Sequence, residues 1–490
     1  MPLSLSLANL ATLPDTIHVP TYAREDLKPG IVHFGIGNFH RAHQAVYLDL
    51  LFNAGKDHDW AIIGAGVRDG DTRMRDALKP QDWLTALVEL GDEPSSARVL
   101  GSMIDFIPVD DRARLIATLA DPAIRIVSLT ITEGGYFINP ATGHFDPAHP
   151  DIVADAARPD DARTVFGLIL AGLKRRRAAG IAPFTVMSCD NIPGNGHVTR
   201  NALVGLADLC DPDLAVFVRA EVAFPNAMVD RITPATSDRE CKFLTETFDI
   251  TDNWPVFCEP FKQWVVEDHF PLGRPRFEDV GVAFVEDVAP YELMKIRILN
   301  GGHAVIAYPS ALMDIHFVHE AMENHLVRAF LEKIELSEIV PIVPPVPNVD
   351  LAGYYRLIAD RFSNPKIGDT IPRLCLDGSN RQPKFILPST RDRLARGLSV
   401  DGLALESALW CRYCAGTSES GREIPPNDDS AARLKAAALA AKADPMAFLQ
   451  LDDIFGDIAG SEVFRHAFAH SLRRLWAEGT AKVLTDYIRD

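Results

Sequence analysis

The sequence has no run of about 18 consecutive apolar residues, so no segment reads as a membrane-spanning helix. Positive charge is also scarce. Lys and Arg total 49 against 67 Asp and Glu, a formal charge of −18. That balance disfavours a broad surface for nucleic acid or anionic lipid, although it leaves room for a local basic pocket. Cysteine is sparse: there are seven, at long and irregular spacings. An odd, scattered set reads as a reduced intracellular protein, not a disulfide scaffold. Cys411 and Cys414 have the spacing of a metal or redox pair, but they stand alone in an apolar helical stretch and read as buried core. No Lys or Arg precedes Arg24, so the positive region of a secretory leader is missing and the expected location is the cytoplasm. There is no fixed-period repeat and no low-complexity segment.

What remains is a chain of 490 residues, 47% hydrophobic and 24% charged, enough for two or three domains and a large core. After a lead-in segment, residues 30–35 read as a short buried strand running into a glycine turn. Residues 40–55 have helical character. Buried strands are expected over 60–67, over 124–132 (β-branched, ending at Glu133-Gly-Gly) and over 184–188, with a helix over 165–179. Strands alternating with helices predict a doubly wound, mostly parallel sheet. From Pro290 onward helical patterns dominate: 321–336, 403–415, 431–441 and 461–478, with a Pro-rich connector at 340–347. The expected fold is α/β, with a Rossmann-type dinucleotide-binding domain over 1–285 and a mainly α-helical substrate-binding domain over 286–490.

Gly35-Ile36-Gly37-Asn38-Phe39-His40 lies between a strand and a helix. A pyrophosphate needs glycine for close backbone approach, and a helix start offers free N–H groups. The third glycine of the usual fingerprint is His40 here, so the motif also fits an ordinary tight turn. The next strand ends at Arg68-Asp69-Gly70-Asp71. Acidic groups there can accept from ribose hydroxyls and repel a 2′-phosphate, which favours NAD over NADP, while Arg68 pulls the other way. The plain alternative is a solvated loop of mixed charge. His33, His40 and His43 lack the Cys or carboxylate companions of a metal site, and no metal is expected.

The segment Pro290-Tyr-Glu292-Leu-Met-Lys295-Ile-Arg-Ile-Leu-Asn300-Gly-Gly-His303 is the most informative. On a regular helix Lys295, Asn300 and His303 lie at about 0°, 140° and 80°, among apolar neighbours. A lysine so surrounded loses hydration, which lowers its pKa toward the range of a general base. The amide can donate to a developing alkoxide, and the imidazole can orient a hydroxyl. Alternatively the stripe faces water, with Lys295 and Arg297 as solvated charges. Tyr291 and Lys295 also fit the Tyr-x-x-x-Lys pair of short-chain dehydrogenases, but that pair belongs within a nucleotide-binding domain. Tyr291 reads better as packing.

The chain resembles the polyol-specific long-chain dehydrogenases over essentially its whole length. The strongest motif is Val222-Ala-Phe-Pro-Asn-Ala-Met-Val-Asp230-Arg-Ile-Thr-Pro234. Others are Gly35 through Gln44, Thr130 through Tyr136, Met187 through Asn191 and Lys295 through His303. The resemblance implies an active site between the two domains and NAD-dependent, metal-independent oxidation of D-mannitol to D-fructose, with the reverse reduction. It implies Lys295 as the base, Asn191 and Asn300 as the oxyanion site, and His303 as a substrate-positioning group. Glu292 would lie on a proton route, and Glu133 near the nicotinamide or that route. Asp230, Arg373 and the basic residue at 381 would hold the polyol. Close relatives carry Lys at that last position and this chain carries Arg381, a different donor geometry. Asp69 matches the acidic position that sets NAD preference, beside the unusual Arg68. A sugar-acid reductase or pentitol dehydrogenase of the same group is the alternative, since Arg373, Arg381 and Lys384 could hold a carboxylate. The resemblance leans toward a monomer acting on a small polyol or ketose.

Overall fold

Ile31, Val32 and Phe34 have no exposed surface, which a strand achieves only when both faces of its sheet are covered. In the computed structural model, which describes residues 2–68, 70–91, 95–139 and 142–489, that strand is the centre of a five-stranded parallel sheet. Its strands are β1 (Pro29–Phe34), β2 (Ala61–Ala65), β3 (Met103–Ile107), β4 (Ile126–Leu129) and β5 (Thr185–Ser188). All pair in parallel, in the order β3-β2-β1-β4-β5. The strand order reverses between β1 and β4, where open α/β sheets bind ligands beyond their carboxyl ends.

The chain divides into two compact units, Met1–Ala289 and Pro290–Asp490. In the first unit, the predicted helix over 40–55 is two pieces, α1 (Asn38–Ala42) and α2 (Gln44–Asn53). The break falls at His43, whose backbone (φ −125°, ψ −90°) is not helical. Helices α3 (Arg112–Ala120) and α4 (Val165–Ala178), which cross between strands, and α5 (Asn195–Cys210), which follows the last strand, bury Leu115, Phe166, Ile169 and Leu203 against one face of the sheet. The sequence pattern did not disclose three additional small sheets, the smallest a parallel pair of 3–4 with 250–251. A second joins an antiparallel pair, 85–89 with 96–100, to strands 256–258 and 17–18. The third carries β6 (Ala227–Asp230), from the strongest motif, antiparallel to 263–267.

The second unit contains no named strand among its described residues. Its longest helices, α6 (Asp401–Cys414) and α7 (Glu462–Glu478), pack together with Trp410, Phe448, Phe455 and Phe468 in ring contact between them. Cys411 lies fully buried in α6. No helix in the described chain is long and apolar enough to cross a membrane.

Candidate active site

β1 ends in a turn that only glycine can make at its first position. Gly35 has φ +92°, and a Cβ there would lie 2.0 Å from the carbonyl oxygen of Thr130. Gly37 differs: a Cβ on it would meet nothing within 4 Å. Space therefore opens over the second glycine, where a pyrophosphate would approach the backbone. Ile36 is buried against Gly64 on β2.

A polar chain under the turn holds it in place. Thr130 Oγ1 donates to Gly35 O at 2.6 Å. The His33 ring spans from Ser128 Oγ (2.7 Å) to Thr130 Oγ1 (2.9 Å), and Ser128 Oγ donates to Gln44 Oε1 at 2.9 Å. The His40 ring stacks on His33 at 3.5 Å. Burial keeps both imidazoles uncharged, with the His33 pKa pushed down to about 3. His43 Nε2 lies 2.9 Å from Gln263 O. The three histidines thus serve packing, and among the described residues no group of three or more His, Cys, Asp or Glu is placed to hold a metal. The Asn38 amide donates to Pro234 O (3.2 Å) and Thr236 Oγ1 (2.9 Å), while Phe39 stacks on His43. Arg68 is exposed, and the amides of Val67 and Arg68 donate to Asp71 Oδ2 at 2.6 and 3.0 Å. Asp69 lies outside the described residues.

Beyond β4, Glu133 is exposed in a short 3₁₀ turn, Glu133–Tyr136. Beyond β5, Asp190 joins the two strand ends. It accepts from the amides of Ile131 and Thr132, each at 2.9 Å, and from Tyr136 Oη at 2.6 Å. Burial raises the Asp190 pKa, and these three bonds oppose the shift. Asn191, the next residue, is exposed and is placed by that staple. Sequence reasoning quoted Asp190 within a motif and gave it no role. The available signal was a carboxylate following a buried strand, where free amides gather. Asp230 ends β6 and is only 6% exposed.

In the second unit, the predicted single helix through Lys295 is instead a helix over Ala289–Met294, a π segment over Lys295–Asn300 and α-helix again over Gly301–Leu312. The Gly301 amide reaches Ile296 O, an i→i+5 bond. In such a turn residue i+5 takes the place that i+4 holds in an α-helix. Lys295 and Asn300 therefore stack on one side, where a regular helix would splay them by about 140°. His303, three residues on, adjoins Asn300. Lys295 is 7% exposed and Arg297 6%, with Arg297 paired to Asp392, so the solvated-stripe alternative fails. Asn300, His303 and Glu292 are half-buried. His303 stacks on Phe362 with ring centres 4.2 Å apart. Tyr291 is buried, and its hydroxyl donates to Pro347 O at 3.3 Å, a packing role.

The two arginines read as polyol ligands are already engaged. Arg373 gives Nε and Nη2 to the two oxygens of Asp369. Arg381 Nη1 donates to the carbonyls of Arg373 and Leu374, the latter at 2.9 Å. Asp369, not singled out in the sequence, is a further member of this cluster. Burial alone would raise its pKa, but the Arg373 fork and the charge of His303 hold it below the usual carboxylate range.

The Rossmann domain of the mannitol dehydrogenase family matches residues 29–279, and the C-terminal domain of that family matches residues 287–476. The mannitol 2-dehydrogenase of Cereibacter sphaeroides is 59% identical over 470 residues, covering 96% of this chain and 98% of that protein. A solved mannitol 2-dehydrogenase from Pseudomonas fluorescens, in ternary complex with NAD and D-mannitol, is 43% identical, with a TM-score of 0.88 over 100% of both chains. A solved D-sorbitol dehydrogenase in substrate-free form is 34% identical, with a TM-score of 0.92 over 98% of this chain and 100% of that one. The resemblance found in the motifs thus extends across both domains in order, and the chain belongs to the mannitol dehydrogenase family.

Proposed function

We propose that this chain catalyses the NAD-dependent oxidation of D-mannitol to D-fructose, and the reverse reduction, with Lys295 as general acid-base. The observation that carries the reading is the burial of Lys295 at the head of a π turn that stacks it with Asn300, in a chain of this family. The open space over Gly37 and the exclusion of a Cβ at Gly35 fit a dinucleotide backbone there. Bound NAD would supply the hydride acceptor. Lys295 takes the proton of the secondary alcohol during oxidation and returns it during reduction. The amides of Asn300 and Asn191 donate to the oxygen as it gains negative charge. His303, held flat against Phe362, orients the neighbouring hydroxyl. Glu292 is assigned to proton exit and Glu133 to the nicotinamide surroundings. Asp230, Arg373 and Arg381 are assigned to the polyol chain, Arg381 to its far end. The protein is read as cytoplasmic, which its scattered, unpaired cysteines fit, and as a monomer on the family resemblance alone.

The ion pairing weighs against the sugar-acid alternative. The Arg373 fork is neutralised by Asp369, so a substrate carboxylate would compete with a carboxylate already in place. Turnover of mannitol and mannonate at equal cofactor concentration, each with NAD and with NADP, tests the proposal. Mannitol with NAD is expected to give the highest kcat/KM. Preference for the acid would replace the polyol reading.

A further inference from the structure

The helix that presents His303 rests on a carboxyl for which the proposed chemistry has no use. Glu335 continues the helix His325–Ile334 into a second π segment, Glu335–Ile339. It has no exposed surface, and among the described residues neither carboxyl oxygen has a hydrogen-bond partner. A Cβ built on Gly302 would lie 3.2 Å from Glu335 Oε1, with Leu331 and Phe362 each at 3.5 Å. Phe362 is also the ring that stacks on His303. Leu331, Glu335 and Phe362 thus form the seat of the helix at the residues that directly follow Asn300.

A leucine or methionine would fill such a seat without desolvating a polar group, so the acid is costly to keep there. An orphaned buried polar group at a site calls for a reason. Burial pushes the Glu335 carboxyl well above the ordinary glutamate range, which favours its protonated form. A neutral acid carries one O–H donor as well as acceptors. π turns throw backbone carbonyls out of the regular ladder, and two such turns pack together here. We propose that Glu335 is a positioning residue: fully buried and seated with Leu331 and Phe362 against Gly302, it sets the height and rotation at which the chain presents Asn300 and His303. The inference rests on the polyol dehydrogenase reading.

The groups around it are known. Tyr355 faces it from Leu351–Phe362, and its pKa is raised first by burial and then by the charge of Glu332. The first π segment carries Lys295 and Arg297. Arg393, from Leu387–Ala395, donates to the carbonyls of Ser337 and Glu338 at 3.0 and 3.1 Å. The Glu338 carboxylate accepts from the amides of Gly402 and Leu403.

Two variants test the proposal. Glu335→Gln keeps the shape and a donor, and Glu335→Met keeps only the volume. The Met variant is expected to melt at or above the wild-type temperature. It should nevertheless lose about tenfold to a hundredfold in kcat for mannitol, with NADH affinity held, as misplacement of reacting groups predicts. The Gln variant should retain wild-type kcat at neutral pH. A folded acid with a raised pKa keeps a proton that the unfolded chain releases. Its presence therefore costs stability progressively as pH rises above the ordinary glutamate range, and the Gln variant escapes that loss. The melting-temperature gap between Gln and wild type should widen with pH. A Met variant with wild-type kcat overturns the proposal. Should the Met variant not fold, a gap that fails to widen with pH overturns it. Absence of polyol turnover by the unaltered chain defeats the functional reading instead, and the melting series still decides whether the buried acid is neutral.

Discussion

The two units prepare their functional groups by opposite means. In the first, the turn at Gly35–Gly37 is shaped by backbone and by uncharged polar groups, His33, Ser128, Thr130 and Gln44. In the second, the candidate groups lie among ionisable side chains: buried Arg297 paired with partly exposed Asp392, Asp369 paired with half-exposed Arg373, and Glu335 buried with no hydrogen-bond partner among the described residues. A site made of backbone shape should tolerate pH and reject added atoms. A site made of ionisable side chains should tolerate modest changes of shape and respond sharply to charge.

The largest expected effect tests the second half of that contrast. Lys295→Ala should lower kcat for mannitol oxidation by about 10²–10⁴-fold, the range of a lost general base, while NADH binds almost as before. In the unaltered chain, oxidation needs the neutral amine and should rise with pH, while fructose reduction needs the ammonium form and should fall over the same range. Added small amines should partly restore the Ala variant. Parallel pH profiles in the two directions would break the assignment, because one group cannot be required in both protonation states for the same direction of change.

Gly35→Ala tests the first half. Positive φ and the 2.0 Å approach to Thr130 O leave no room for the methyl group. Strain of about 1–3 kcal/mol is expected, spread between a lower melting temperature and weaker NADH binding. The loss should be nearly the same from about pH 6 to about pH 9, because His33, held down to about 3 by burial, stays neutral throughout. A loss that varies steeply with pH would mean that the turn depends on charge after all.

The same contrast explains what could be read in advance. The parallel sheet, its glycine turn and the helical character after Pro290 follow from periodicity and punctuation, which local sequence carries. The π segment does not: Lys295-Ile-Arg-Ile-Leu-Asn300 looks like any amphipathic helix, and the extra residue in the turn is fixed by what packs on it. For the same reason the angles derived on a regular helix misplace Asn300 relative to Lys295. The break at His43 was likewise invisible, because the ring is held by Gln263, which lies 220 residues away. Asp190 was missed because its partners are distant in the chain and Glu335 because it has none, and a lone carboxylate in a sequence reads as surface; Asp369, four residues before Arg373, reads as one half of an ordinary exposed pair. Arg373 and Arg381 were legible as residues but not as partners.

The smallest expected effect concerns that last pair of readings. Asp369→Asn removes a charge-assisted fork and leaves Arg373, half-exposed, to water. Water can replace much of what Arg373 loses, so the stability cost at neutral pH should fall near the low end of about 1–3 kcal/mol. The sign of its pH dependence is fixed by the depressed carboxylate. Its stabilising contribution is present above the ordinary aspartate range near about 3.9 and is lost as pH falls through the lower folded value, so wild type and variant should converge in strong acid. The freed Arg373 can then swing, and the negative charge beside His303 is gone. KM for mannitol should rise several-fold with kcat little changed, since both groups are assigned to orienting substrate and neither to carrying the proton. A variant that instead gained turnover of a sugar acid would show that Asp369 selects against carboxylates. It would place the origin of polyol specificity on that aspartate and not on Arg381.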